Sequence, residues 1–417
     1  MNKRVLIVGG GVAGLAAAAE LAKKKWSVTV LEARARLGGR IFTRYLDRHP
    51  IELGAEFVHG HSRALFHAIH QAGLATHEIN TTHQLSQNGK VQMIPFDHRL
   101  EKVINRIDLS RPDESIKSFL ARQPVPVGTK RLAENFVEGF DAADAGSISA
   151  HSVLRAQMAA EEMRGEEQSR LDLGYSALID FYEAVIRKNH GTVLKARNVR
   201  RINWGHKRVD VFALHNRRPE PYQADAAIIT LPIGVWKLNP NLFHPALLTK
   251  RGIIHEFKFG NVVKVIFHFR ERWWPDFGFI HSFKEDLPTW WTNLRYQALT
   301  GWAGGPAADE LLKLSPERLR SLALRTLCRI FRAKTSIVRR HLTGIYFHNW
   351  AADSHSCGAY SYCPVGGLEL PTCLATPVID TLFFAGEATV ADAQTGTVFG
   401  AVESGLRAAR EVIRRLK

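Results

Sequence analysis

Three groups of residues in this 417-residue chain have types and spacings that could do chemistry. The first is glycine. Gly9, Gly11 and Gly14 stand as G-x-G-x-x-G directly after the apolar run Val5 to Val8. In that pattern the first glycine makes a tight turn, the second lets backbone approach a pyrophosphate, and the third lets a helix pack on the strand. The second is a lysine among apolar neighbours, Lys264 in FGNVVKVIFHF, residues 259–269. It reads either as a solvated edge charge or as an ammonium held in a site. The third is acidic. Glu138, Asp141, Asp144, Glu161, Glu162, Glu166, Glu167 and Asp172 outnumber Arg155, Arg164 and Arg170 in a chain of net charge +16. Such a segment reads as a solvated helix face, or as a wall that draws in a cation.

The elements that must position these groups follow from periodicity. After the glycines comes an alanine-rich helix, then a strand over Ser27–Leu31 ending at Glu32. That βαβ context turns the glycine pattern into a dinucleotide site, with phosphate at the helix N-terminus and Glu32 on ribose hydroxyls. Ala35 to Arg40 and Glu52 to Gly60 add two more glycine turns, and Arg36 and Arg40 can reach phosphate or ring oxygens. In the lysine strand, alternation puts Val263, Val265, Phe267 and Phe269 on one face and Val262, Lys264, Ile266 and His268 on the other. Gln84 to His190 reads as mostly helical, with Leu178, Phe181, Tyr182 and Val185 at helical spacing. Strands are expected at 192–196, 199–204, 209–214 and 225–232, and a helix over 316–331. Thr395 to Ala401 is a glycine turn opening a final helix with the stripe Val402, Leu406, Ala409, Ile413 and Leu416. Arg414, Arg415 and Lys417 suit its C-terminal dipole.

Bulk properties set limits. The length suits two domains that exchange chain, and no apolar run is long enough to cross a membrane. The first apolar run, followed by glycines, reads as a strand and not as a signal peptide. Cys328, Cys357, Cys363 and Cys373 fit neither zinc spacing nor a disulfide framework, so they are expected as free thiols in the cytoplasm. The basic balance would attract polyanions, but no nucleic-acid motif accompanies it, and no specific nucleic-acid partner is expected.

Taken in chain order, GGGVAGL, LEARARLGGR, ELGAEFVHG, ITLPIGVWK, FGNVVKV, HNWAADSHSCGAYSY, LFFAGEAT and TGTVFGAVESGLRAA resemble the flavin-containing amine oxidases. That family includes monoamine, polyamine and spermine oxidases and the amine-oxidase domains of histone demethylases. The resemblance covers nearly the whole chain. It implies an α/β Rossmann-like FAD-binding domain (1–80, 191–250 and 347–417) interleaved with an α+β substrate domain (81–190 and 251–346), a mixed sheet with helices. It also assigns residues. Gly9, Gly11, Gly14, Glu32, Arg34, Gly39, Arg40, Gly54, Ala55, Glu56, Val199, Trp350, Gly386, Glu387, Thr397 and Val398 would bind the cofactor. Lys264 would bond through a water to flavin N5, Tyr360 would line the flavin and substrate cavity, and His59 is a candidate site residue or lies behind one.

Two departures refine the reading. Where monoamine oxidases attach FAD through a cysteine, this chain has Ala359, with Cys357 two positions earlier, so FAD is expected to be non-covalent. Where those enzymes set a second tyrosine over the flavin, this chain has Thr397. The resemblance then implies oxidation of a polyamine or another secondary or bulky amine. A hydride equivalent goes to flavin N5, and O2 is reduced to hydrogen peroxide. An L-amino-acid oxidase, which would need a cavity arginine, and a non-catalytic flavin-binding interaction protein are the alternatives.

Overall fold

The computed structural model describes residues 3–87, 90–391 and 394–416; Lys417 lies outside them. The first strand, β1 (Arg4–Val8), is buried from Val5 onward. The helix that follows, α1 (Val12–Lys23), is half alanine, and small side chains let it lie close between its neighbours. The next strand, β2 (Ser27–Leu31), pairs in parallel with β1. Thr192–Leu194, β2, β1, Ala226–Ile229 and Leu382–Phe384 form a five-stranded parallel sheet in that order. Parallel strands need crossovers, and here the crossovers are long excursions into the rest of the molecule. A four-stranded sheet covers one side. Asn198–Gly205, Arg208–His215 and Arg218–Ala224 are antiparallel, and Phe243–His244 joins them in parallel. On the other side the C-terminal helix, Val398–Arg415, packs on α1. The expected stripe holds: Val402, Ala409 and Leu416 are core, and Leu406 and Ile413 pack against it.

The second body is a seven-stranded sheet. Its order is Leu342–Tyr346, Val262–Phe269, Ala298–Gly304, Thr289–Asn293, Phe279–His281, His83–Gln87, Lys90–Met93. The lysine strand lies inside this sheet. Val263, Val265, Phe267 and Phe269 are fully buried against helices including Pro316–Ile330, the face that alternation assigns to the core. A separate helical cluster, with Phe96–Ile104, Ile116–Arg122 and Val127–Phe140, has its own core.

Two expectations need refinement. The segment 84–190 is mostly helical as expected, but it also holds strands: His83–Gln87 and Lys90–Met93 form a hairpin, and Gln168–Leu171 is a strand. Those strands are short and polar, so they carry no alternating apolar signal. The helix Ser176–Lys188, which the reading assigns to the substrate side, buries Leu178, Ile179, Tyr182 and Ile186 in the same core as α1. Trp274 and Trp290 are buried in the core of the second body, and Trp273 packs against it.

Candidate functional site

A cavity of ≈ 410 Å³ lies between the two bodies. Its walls include Gly9, Gly11, Glu32, Arg34, Gly39, Arg40, Gly54, Ala55, Val199, Lys264, Trp350, Tyr360, Gly386, Glu387, Thr397 and Val398. Gly11 precedes α1, and a Cβ built on it would meet no atom within 4 Å, so this stretch of backbone faces open space. No side chain caps α1, and its first turn carries no acid. Bare N–H groups, a positive dipole end and an open cradle fit a pyrophosphate. Gly14 does not line the cavity. A Cβ there would lie 2.1 Å from the Gly9 carbonyl oxygen, so its part is close packing of helix and strand.

Glu32 is buried at the end of β2. Its Oε2 accepts from the Gly10 N–H at 2.7 Å and its Oε1 from the Arg34 N–H at 2.8 Å. This fixes the carboxylate on the cavity wall, where a ribose would reach it. Arg34 is held in turn by Asp353 at 2.5 Å and Ser356 at 2.9 Å. Arg40 donates to Glu387 Oε1 at 2.9 Å and to the Ala359 carbonyl at 2.7 Å. The other oxygen of Glu387 accepts from Ser361 Oγ at 2.6 Å and from the Gly396 N–H at 2.9 Å. One carboxylate thus ties together the arginine turn, the Tyr360 strand and the turn before the last helix. Arg36 does not reach the cavity. It folds back onto the carbonyls of Leu37 and Ile41 and over the Phe42 ring.

At the other end, Tyr360 presses its ring on Gly396 and donates its hydroxyl to the Phe140 carbonyl at 2.7 Å. Burial, then the nearby Asp141 and Glu387, push its phenol well above the ordinary tyrosine range, so it stays neutral. Trp350 donates to the Leu53 carbonyl at 3.1 Å. Trp302, across the sheet from Lys264, donates to the Gly139 carbonyl at 2.8 Å and also lines the cavity. Sequence reasoning missed Trp302. The signal for it was register: once the lysine strand is central, the aromatic opposite Lys264 on a neighbouring strand shares its face. Thr397 caps the last helix, accepting from the Gly400 N–H at 3.1 Å.

Lys264 is buried, and its ammonium lies 2.7 Å from Glu56 Oε2 and 3.0 Å from the Gly54 carbonyl. Glu56 is not on the cavity wall, which corrects its expected contact with the cofactor. Its Oε1 receives Arg170 Nε at 2.8 Å and Trp291 Nε1 at 3.1 Å. Burial alone would raise the Glu56 pKa, but Lys264 and Arg170 more than reverse this and hold the carboxyl below its usual value. The Lys264 side chain is therefore fixed in place by the Glu56 carboxylate and the Gly54 carbonyl. Behind it, Glu52 accepts from Thr43 Oγ1 and the Tyr175 N–H, and burial pushes its pKa up to about 7.

His59 does not line this cavity either. Its ring meets Phe57 and Phe140 edge-on, and burial pushes its pKa down to about 4, leaving it neutral. None of the four cysteines lines the cavity, and all four are free thiols. Cys357 points its Sγ at the Ser354 carbonyl, 3.5 Å away. Among the described residues no cluster of metal-ligating side chains occurs, and no helix is long and apolar enough to cross a membrane.

Comparison with known proteins gives a consistent result. The family model for flavin containing amine oxidoreductases matches residues 12–130 and 89–413. Polyamine oxidase 3 of Oryza sativa subsp. japonica is 29% identical over 97% of this chain and 88% of its own length. Polyamine oxidase 2 of Arabidopsis thaliana is 29% identical over 98% and 87%. Among solved structures, a putrescine oxidase with putrescine bound superposes with a TM-score of 0.85 at 23% identity, over 99% of both chains. The cyclohexylamine oxidase of Brevibacterium oxydans IH-35A gives 0.84 at 20% identity over the full length of both.

Proposed function

We propose that this chain, which belongs to the flavin-containing amine oxidoreductases, oxidises an aliphatic diamine or polyamine with dioxygen as the electron acceptor. The observation that carries the reading is the far end of the cavity. Tyr360, Trp302 and Trp350 form apolar walls, the second stacking position is taken by the helix-capping Thr397, and the buried cation Lys264 faces the same space. Walls with a single stacking tyrosine favour an extended aliphatic amine over a flat arylalkyl one. The relatives named as polyamine oxidases support the same substrate class.

When bound, FAD supplies the two-electron chemistry, taking a hydride equivalent from the amine carbon and passing electrons to dioxygen. The protein's part is to hold and to exclude water. Gly11 and the N-terminus of α1 would hold the pyrophosphate, and Glu32 the ribose. Val199 would offer backbone groups to the adenine, and Arg40, fixed by Glu387, would bind the phosphates. Tyr360, Trp302 and Trp350 strip water from the amine and orient it. Lys264 keeps a fixed positive charge where negative charge develops on oxygen. With no cysteine on the wall, the cofactor is held without a covalent bond, and trichloroacetic acid should release all the yellow colour into the supernatant. An L-amino acid would need an unengaged arginine beside the aromatic walls, yet Arg34, Arg40 and Arg197 are each paired to an acid, and Arg200 lies next to Val199. The four unpaired thiols support a reducing compartment such as the cytoplasm.

The test is an anaerobic titration of the purified holoenzyme, following the flavin spectrum. Spermine, spermidine or putrescine should bleach the oxidised band. Bleaching only by benzylamine or by L-amino acids would overturn the substrate class.

A further inference from the structure

The positive charge of this chain is not spread evenly. Residues 313–340 hold nine Lys or Arg and one acid, Glu317, and so carry +8, half of the net +16. They build the helix Pro316–Ile330, a short turn and the helix Thr335–His341. Apolar side chains fasten both helices to the second body. Leu319, Ala323, Leu327 and Ile330 from the first and Val338 from the second share one core with Val263 and Val265 of the lysine strand. What this hairpin leaves outside is basic.

At 3.6 residues per turn, Arg318, Arg325 and Arg329 point within about 20° of one line, opposite the buried stripe, in a row about 17 Å long. Arg329 is held by Glu285, with Nε 2.9 Å from Oε2, and Lys313 meets Glu310. By contrast, Arg318, Arg325, Lys334, Arg339 and Arg340 are exposed, and among the described residues they form no ion pair. Like charges fixed on one rigid hairpin repel each other, and a polyanion would relieve that repulsion. The seven-stranded sheet separates this face from the cavity. Val263 and Val265 turn toward the hairpin, while Lys264 between them turns toward the cavity.

The chemistry of the patch narrows the partner. Seven of the nine bases are arginine, whose planar fork meets two phosphate oxygens at once. A helix that seats in a membrane surface sets bulky apolar side chains beside its bases. Between 313 and 340, Ile337 alone is both large, apolar and exposed. We propose that the outer face of this helical hairpin is a docking surface for the phosphodiester backbone of a nucleic acid, bound by charge and without regard to sequence. The surface is separate from the substrate reading above and does not depend on it.

The test uses the holoenzyme and two triple variants of equal net charge. One combines Arg318→Gln, Arg325→Gln and Arg340→Gln. The control combines Lys23→Gln, Lys24→Gln and Lys25→Asn, at the exposed end of α1 on the other body. Fluorescence anisotropy reads binding to a DNA duplex of about 20 base pairs and to an RNA single strand of equal charge, from about 50 to about 200 mM salt. The wild type should bind at least one of them, with affinity falling steeply as salt rises. The hairpin variant should bind about tenfold or more weakly and lose about two to three from its salt slope, while the control changes less than about twofold. A preference for the duplex or for the single strand then names DNA or RNA as the source of the phosphates. Equal losses in the two variants would show that total charge and not this face attracts the nucleic acid. That result, or no binding by the wild type at the lowest salt, would overturn the proposal. Tighter hairpin-dependent binding to phosphatidylserine vesicles than to either nucleic acid would overturn it in favour of a lipid surface. Flavin content and thermal melts check folding. Should the triple variant fail there, Arg318→Gln and Arg325→Gln are measured singly, each with a loss of about threefold expected and no loss counting against the proposal.

Discussion

The parallel sheet with α1 and the seven-stranded sheet with its helices meet across one cavity, yet they recognise ligand by different means. The first uses backbone. Gly11 leaves space, Gly14 permits contact, and Glu32 is fixed by the N–H groups of Gly10 and Arg34. The second uses side chains whose roles depend on partners far away in sequence, such as Lys264 with Glu56 and Tyr360 with Phe140. Backbone recognition tolerates almost no change at its glycines. Side-chain recognition can be altered one residue at a time, so substrate choice can drift while cofactor binding stays fixed.

The largest effect should therefore fall on a glycine. Gly14→Ala would force a Cβ to 2.1 Å from the Gly9 carbonyl oxygen, and the purified protein should retain less than about a tenth of the wild-type flavin. Normal flavin content by absorbance would break the contrast at its firmer side. Lys264→Met should leave flavin content within about twofold but slow reoxidation by oxygen on the order of a hundredfold, as loss of a preorganised charge does. Stopped-flow mixing of reduced enzyme with oxygen reads this directly, and an unchanged rate would remove the lysine from the chemistry.

Glu56→Gln should act through Lys264 and more mildly, slowing reoxidation about tenfold. Without the carboxylate the ammonium is no longer held at its place on the cavity wall. An unchanged reoxidation rate in the variant would show that Glu56 only fills space. The smallest effect concerns stability. Burial lowers the pKa values of His59 and His281 to about 4 and about 3. Below pH 6.5 the unfolded chain gains protons that the fold resists, so stability present at pH 7 is lost as pH falls toward 4. Each histidine should cost about 2 kcal/mol by pH 5. Thermal melts from pH 8 to 5 should show the decline, and His281→Phe should flatten it.

The same contrast governs what could be read in advance. The glycine turns, Glu32, the core face of the lysine strand and the stripe of the last helix were legible because their logic is local, repeating every two or every three to four residues. Arg36 and Glu56 were misplaced because their partners, the Ile41 carbonyl in one case and Arg170 and Trp291 in the other, cannot be inferred from spacing. Thr397 was expected at the cofactor, and the structure places it on the cavity wall while its hydroxyl caps a helix. The acidic segment reads as a solvated face or a wall, and the fold pairs some of its members with bases distant in sequence: Glu167 with His61, and Asp172 with His77 and Arg295.

The last helix, Val398–Arg415, lies so close to α1 that a Cβ on Gly405 would be 2.2 Å from the Ala13 carbonyl. The strand Leu382–Phe384, which completes the parallel sheet, also comes late. During synthesis, then, the first element of the cofactor site waits for nearly the last. A nascent chain presents the glycine turn early but holds no finished cradle until residue 415 has emerged from the ribosome. Cofactor loading must await this helix, and a chain truncated before it should yield a flavin-free protein with the apolar flank of α1 uncovered, a natural substrate for chaperones and proteases.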